Sequence, residues 1–189
     1  MRTETLLKRQ LELILAGLMP DNRRVVQVML HTGLRIGDVL ELRADQIGRQ
    51  FTVVQQKTGK KIRVGLPDAL AAEIRTAAQA YGPSPWAFPS PRQPQQHRTR
   101  QAVWKDLKRL QRALHLGVNL GTHSMRKEYA VDLLSRYGDI ASVQRALGHD
   151  RPATTMIYAM ADQLTRTAQE RRRTRAHKAR VARLLERNS

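Results

Sequence analysis

The chain has 189 residues, of which 41% are hydrophobic, no cysteine, and a formal net charge of +18. That length suits one domain with a core of its own, and the charge favours a polyanionic partner. The missing cysteines exclude a disulfide framework or a thiolate metal site, and neither a membrane-length apolar run nor a signal-peptide core occurs, so a cytoplasmic protein with no membrane partner is expected.

Residues 3–17 read as a helix with Leu6, Leu7, Leu11, Ile14 and Leu15 along one side. Pro20 and Asp21 break it and start the next, in which Val25, Val28 and Met29 point inward as far as His31. Gly33 makes a turn, and Arg35 stands on the first turn of another helix between the apolar Leu34 and Ile36. Phe51–Gln56 and Lys61–Leu66 are strand-like runs around Lys57-Thr58-Gly59-Lys60, a hairpin with Gly59 at the turn. An alanine-rich helix follows from Pro67 to about Ala80, with Leu70, Ile74 and Ala77 as its buried side. Residues 89–97, rich in Pro and Gln, read as an exposed loop. The helix from Thr99 to Leu114 shows Val103, Leu107, Leu110 and Leu114 on one face, with Lys105, Lys108, Arg109 and Arg112 largely on the others. Residues 91–112, which also hold Arg98 and Arg100, carry a net charge of +6.

The stretch from Gly121 to Tyr158 is different in kind. Residues 113–161 carry only +1, so the Arg and His residues there are not a by-product of a basic chain. Thr122 reads as an N-cap, and Met125, Tyr129 and Leu133 recur every four residues, the pattern of a helix with one buried face. His123 and Arg126 are then i and i+3, side by side on its first turns. Gly138 ends that helix, Ile140, Val143 and Leu147 pattern a second that Gly148 ends, and Pro152 suits the start of a third that carries Tyr158. Two imidazoles, a guanidinium and a phenol are thus offered by neighbouring helices. A fork of Arg and His donors suits an oxyanion with several oxygens, above all a phosphate diester. A tyrosine beside it is a candidate nucleophile, but at pH 7 only about a thousandth of a phenol is ionised, so it needs a base or a strong positive field. His31, His97, His115 and His177 lack the company of carboxylates that a metal site needs, and no metal is expected.

The segment Thr32-Gly33-Leu34-Arg35-Ile36-Gly37-Asp38-Val39-Leu40-Glu41-Leu42 resembles the first arginine box of the tyrosine recombinase (phage integrase) family, usually TGLRxxE. Thr122-His123-Ser124-Met125-Arg126-Lys127, Leu147-Gly148-His149 and Thr154-Thr155-Met156-Ile157-Tyr158 resemble its second box, its LGH turn and its nucleophile segment. The resemblance runs from about Asn22 to Ala161, with the boxes in family order. It implies an α+β, mostly α-helical catalytic domain over residues 1–161 with a small three-stranded antiparallel sheet, followed by a basic helix or tail over 162–189. Trp86-Ala87-Phe88-Pro89-Ser90 resembles a short strand of that family.

The same resemblance implies the roles. Arg35 and Arg126 clamp the scissile phosphate, His123 and His149 assist, Tyr158 attacks, and Asp38 stands where the family has a supporting Glu. Family members carry a catalytic lysine on the hairpin, which the match places at Lys57, with Lys60 and Lys61 as neighbours that could take its place. Arg98, Arg100, Lys105, Lys108, Arg109 and Arg112 are read as contacts to the DNA backbone. The implied reaction gives a 3′-phosphotyrosyl link and a free 5′-hydroxyl, with no cofactor, on double-stranded DNA carrying specific sites and with self-assembly into a synaptic tetramer. Full-length integrases usually carry a separate helical core-binding domain, and only about 20 residues precede the match; a short recombinase and a catalytic portion of a longer one are both consistent with that. A type IB topoisomerase, a catalytically silent DNA-binding accessory protein and a nonspecific nucleic-acid binder are the alternatives. The tail, net +6, reads either as a helix that docks Val181–Leu185 on a neighbouring subunit or as a basic arm.

Overall fold

The computed structural model describes residue 6, residues 8–138 and residues 140–147. The Gly148–His149 turn, the helix expected to carry Tyr158 and the tail 162–189 lie outside the described residues. The order is α1 (Lys8–Gly17), α2 (Pro20–Thr32), α3 (Ile36–Leu40), a 3-10 turn (Ala44–Gln46), β1 (Gln50–Val54), β2 (Lys61–Gly65), α4 (Asp68–Gln79), α5 (Arg100–Ala113), α6 (Thr122–Tyr137) and α7 (Ile140–Leu147). Among the described residues no helix is long and apolar enough to cross a membrane.

Helix α2 is the axis of the fold. Pro20 starts it, where a missing N–H costs nothing, and Asp21 puts a negative charge on its first turn. Val25, Val26 and Val28 have no exposed surface and Met29 has 1%. Full burial of such side chains contributes roughly 1.5–3 kcal/mol each. Around this helix pack α1, α3, α4, α5, α6 and β2. The helix stops at Gly33, which is left-handed (φ 64°) and returns its N–H to the Met29 carbonyl at 2.9 Å. A side chain at Gly33 would collide with the Tyr129 ring and the Leu147 side chain, so close approach as well as backbone conformation requires glycine there.

The strands β1 and β2 pair antiparallel, from Gln50 opposite Gly65 to Val54 opposite Lys61. Phe51, Val53 and Val64 face the core while alternate residues face water, and Gly59 (φ 67°) closes the turn. The expected third strand is not formed among the described residues. Trp86 makes only an isolated bridge with Arg43, and Pro89 another with His97. The prolines at 85 and 89 have no N–H to give a ladder, which confines this segment to single pairs such as Ala87 N–H to Leu42 O, 2.8 Å. The Pro- and Gln-rich loop is also less free than its composition suggests. Its Pro94 carbonyl accepts from Ser84 Oγ at 2.6 Å and its Gln95 carbonyl from Trp86 Nε1 at 3.0 Å.

Helix α5 starts behind a Thr99 side chain that accepts from Ala102 N–H at 3.1 Å. Its buried face includes Val103, Leu107 and Leu110, together with Asp106, which takes hydrogen bonds from Met19 N–H (2.9 Å) and Asn22 Nδ2 (2.8 Å) and so fastens α5 to the start of α2. Helix α6 is capped differently from the expectation. Gly121, not Thr122, is the N-cap, and Ser124 Oγ reaches back to accept the Gly121 N–H at 3.1 Å. Glycine has no side chain to accept an N–H of the first turn, and the serine hydroxyl three residues on instead takes the N–H of the cap residue itself. Gly138 (φ 67°) ends α6, and Ala130, Val143 and Leu147 form a small second core between α6 and α7.

Candidate active site

The arginine at the start of the first box is set by its neighbours. Arg35 is the extended residue just ahead of α3, with Leu34 fully buried on one side and Ile36 packed on the core on the other. That fixes its backbone and sends the guanidinium into a cleft of about 210 Å³. Its Nη1 is shut off from solvent and has no hydrogen-bond partner among the described residues. A buried, unanswered N–H on a permanent cation is an unfilled demand for an oxygen acceptor.

Arg126 enters the same cleft from the second turn of α6 and is 3% exposed. Its Nη1 donates to the Gly33 carbonyl and its Nη2 to the Leu147 carbonyl at 2.7 Å. Carbonyl oxygens orient a guanidinium without cancelling its charge. Gly33 is therefore doubly used: it ends α2, and its carbonyl aims Arg126.

Asp38 is 4% exposed on α3, and its Oδ1 accepts the Gln56 N–H at 3.0 Å, while Oδ2 has no partner among the described residues. The carboxylate thereby holds the residue before Lys57. Lys57 sits in the turn after β1 and lines the cleft; Lys60 and Lys61 do not. His123, exposed on the first turn of α6, lines it too, beside Thr122. The one-residue change of cap leaves His123 and Arg126 on the same side of α6, because their spacing is unaltered. Arg35, Asp38, Lys57, His123 and Arg126 thus share one cleft. His149 and Tyr158 lie outside the described residues.

The six basic residues on and before α5 separate. Arg100 belongs to the cleft: its guanidinium lies over Gly37, where a Cβ would come within 2.8 Å of Nη2. Sequence reasoning placed Arg100 on a backbone-binding face and missed its nearness to Arg35; the signal was its position one residue after the Thr99 cap, at the cleft end of the helix. Lys105 and Arg112 are exposed. Arg98 turns inward, 8% exposed, and pairs with Asp21, which also receives Arg24 and the Tyr81 hydroxyl (2.5 Å). Arg109 Nη2 bonds Asp106 at 2.7 Å and the Gly17 carbonyl at 2.6 Å, and Lys108 Nζ bonds Gln111 at 2.7 Å and Asn119 at 2.5 Å.

Two ionisable groups show how environment sorts roles. Burial would raise the Asp106 carboxyl, but hydrogen bonds from Asn22, Arg109 and the Met19 N–H outweigh it and hold the pKa below its ordinary value. Burial holds the Tyr129 phenol above its ordinary range, the wrong direction for a nucleophile, and Tyr129 packs over Gly33 instead of lining the cleft. Among the described residues no group of three or more His, Asp or Glu side chains is placed to hold a metal ion.

A sequence model described as the phage integrase family matches residues 4–165. The integrase of Escherichia phage P2 is 32% identical over 158 residues, which cover 83% of this chain and 43% of that protein. Tyrosine recombinase XerA of Pyrococcus furiosus is 30% identical over 161 residues, covering 82% of this chain and 55% of that protein. Among solved structures, the XerH site-specific recombinase bound to palindromic difH substrate in a post-cleavage complex aligns at a TM-score of 0.70 and 21% identity, over 89% of this chain and 53% of that one. The catalytic domain of bacteriophage HP1 integrase aligns at 0.61 and 21% identity, over 84% of this chain and 88% of that domain. The chain spans about half the length of the curated relatives it matches. With a family match running through α1 to α7 and beyond, and a helical fold shared with recombinase structures, the chain belongs to the phage integrase family.

Proposed function

We propose that this chain performs site-specific DNA recombination as a tyrosine recombinase, with residues 1–161 as the catalytic domain and 162–189 as a basic appendage. The observation that carries the reading is the cleft lined by Arg35, Asp38, Lys57, His123 and Arg126, where one guanidinium nitrogen of Arg35 has no hydrogen-bond partner among the described residues. The scissile phosphate sits between Arg35 and Arg126, the second of which is aimed by two main-chain carbonyls, and both guanidinium charges act on the negative charge that grows in the transition state. The start of α6 adds its N-terminal dipole from the same side.

The Tyr158 oxygen attacks phosphorus, its proton passing to an imidazole of the His123–His149 pair. The bond from phosphorus to the 5′-oxygen breaks as Lys57 gives that oxygen a proton, leaving a 3′-phosphotyrosyl link and a 5′-hydroxyl. Attack by the 5′-hydroxyl of a partner strand reverses the step, and the energy of the broken ester stays in the protein link, so the chemistry uses neither ATP nor a divalent metal. Exposed Lys105, Arg112 and Arg100 meet phosphates of the duplex, and Arg98 and Arg109 support the helix that carries them. Pairing of two sites requires self-assembly on DNA, which fits work at the nucleoid in the cytoplasm. The lambda integrase structure similar in fold to this chain is a tetramer bound to a Holliday junction, at a TM-score of 0.66.

The test is incubation with a pool of nicked duplexes of randomised sequence in EDTA, followed by denaturing gels and sequencing of trapped strands. A covalent adduct lost in Tyr158→Phe, on a defined recovered sequence, is the expected result. Adduct that persists in Tyr158→Phe, or cleavage that needs added Mg²⁺, overturns the mechanism. Relaxation of supercoils by a cleaving protein that never exchanges strands between two sites makes it a topoisomerase.

A further inference from the structure

Gln55 is fully buried between the exposed residues Val54 and Gln56, in a hairpin end that is otherwise in water. Burying a primary amide costs roughly 1–3 kcal/mol unless it is hydrogen-bonded. Both ends of this one are. Nε2 donates to the Leu147 carbonyl at 3.2 Å, and Oε1 accepts from Thr58 Oγ1 at 2.8 Å. Its backbone also closes the turn, with its carbonyl taking Gly59 N–H at 2.8 Å and its N–H reaching the Lys60 carbonyl at 2.9 Å.

The Leu147 carbonyl that receives Gln55 is the one that receives Arg126 Nη2 at 2.7 Å. Arg126 already satisfies that oxygen, so satisfying it does not require Gln55, and a leucine would fill the space. What the amide adds is a link. It joins the turn that carries Lys57 to the C-terminal end of α7 and, through one oxygen, to the phosphate-clamping arginine. Thr58 on one side of Lys57 and Gln55–Gln56 on the other are then fixed, the latter also by Asp38. Lys57 and Gln56 are the residues of this turn that line the cleft, and Lys57 is the one that can donate a proton to a leaving oxygen.

We propose that Gln55 is a positioning residue for proton delivery by Lys57, holding the Lys57 turn in register with Arg126. The inference rests on the recombinase reading. Its effect must therefore be confined to the step in which the 5′-oxygen takes a proton, and must vanish when the leaving group needs none.

The experiment compares two nicked duplexes of the sequence recovered with the wild-type chain, one with the normal 5′-oxygen and one with a 5′-bridging sulfur at the cleaved bond. Gln55→Leu is expected to slow adduct formation on the oxygen substrate by about 10-fold or more, within the ~10²-fold that a small misplacement can cost. On the sulfur substrate it should stay within about threefold of wild type, as Lys57→Ala should, because a thiolate leaves without a proton. Adding Gln55→Leu to Lys57→Ala should slow the oxygen substrate no further, since the amide acts through the lysine. Thr58→Val, at a partly exposed position, removes the hydroxyl donor to Oε1 together with a long 3.5 Å contact from the Lys60 N–H, and should show a smaller loss of the same selectivity even if Gln55→Leu folds poorly. Equal slowing of both substrates by Gln55→Leu, a product of losses in the double variant, or wild-type rates on both substrates for Thr58→Val overturns the assignment. A wild-type chain that forms no adduct on either substrate overturns the recombinase reading and this inference with it.

Discussion

Two pairs of arginines, one at the cleft and one beside α5, have opposite electrostatic fates. Arg98 meets Asp21, and Arg109 meets Asp106 through Nε at 3.0 Å and Nη2 at 2.7 Å. Arg126 meets carbonyl oxygens, and Arg35 leaves a buried nitrogen with no partner among the described residues. A carboxylate cancels the positive charge and turns the arginine to structure: Arg98 ties the entry of α5 to α2, and Arg109 holds Asp106 in place from within α5. A carbonyl only orients it, and the charge stays available to an incoming anion. Position in a basic segment is thus a poor guide to what an arginine does; the identity of its acceptor is the better one.

The largest effect should come from the cleft pair. Arg35→Ala is expected to slow adduct formation by at least about 10²-fold, the usual loss when one donor to a charged transition state is removed. Arg35→Lys should recover little of it, because a point charge does not reproduce a planar fork. The melting temperature of Arg35→Ala should hardly move, since the side chain has no hydrogen-bond partner among the described residues to lose. Arg126→Ala should match the rate loss but also lower the melting temperature, since the Gly33 carbonyl loses its guanidinium donor and the Leu147 carbonyl keeps only the longer bond from Gln55.

Next in size is the brace. Asp106→Ala leaves the Met19 N–H and the buried Asn22 amide without their acceptor and should cost about 3 kcal/mol, since each buried polar group left unsatisfied costs roughly 1–3 kcal/mol. For a chain of this size that is roughly 6–12 °C in melting temperature. The cleavage rate per folded molecule should not change. Because the folded pKa of Asp106 is depressed, its contribution is present above the unfolded value, about 4, and is lost as pH falls through the folded value. Asp106→Asn should accordingly flatten the acid side of the stability profile below about pH 4, read by chemical denaturation at each pH. An unchanged acid limb would mean that the carboxylate is not anchored as the geometry indicates.

Much of this was legible in the sequence where a local rule acts. The apolar repeats located α2, α5 and α6 to within a residue or two, and Ile140–Leu147 is the helix the pattern outlined. Gly33, Gly59 and Gly138 were readable as turns and are left-handed in the structure. The gathering of Arg35, Lys57, His123 and Arg126 was not readable from periodicity; it came from resemblance to a family, and their common cleft is a tertiary fact. What escaped were long-range polar pairs. Asp106 sits in a helix that composition makes basic, yet its partners Met19 and Asn22 lie more than 80 residues away. Gln55 looked like one more strand residue because its partner Leu147 is 92 positions on. The short third strand failed for the opposite reason, since the local absence of N–H groups at Pro85 and Pro89 overrode an otherwise strand-like apolar run.

The smallest effect makes the sharpest comparison, because it sets two arginines two residues apart against each other. Arg98 and Arg100 carry the same charge in the same basic segment, but Arg98 is 8% exposed on Asp21 whereas Arg100 is exposed at the cleft wall. If Arg100 meets a phosphate, Arg100→Gln removes about one unit from the slope of log affinity against log salt and weakens binding several-fold in low salt, independently of DNA sequence. Its melting temperature should not fall, since the side chain has no hydrogen-bond or ion-pair partner among the described residues to lose. Arg98→Gln removes the same formal charge and should leave the salt slope where it was. Its cost appears instead as lower stability, because Asp21 keeps Arg24 and Tyr81 but loses its most buried counter-charge. Equal salt slopes for the two variants would show that neither side chain meets the duplex, and a lowered slope for Arg98→Gln alone would reverse the rule that a carboxylate partner marks an arginine as a brace.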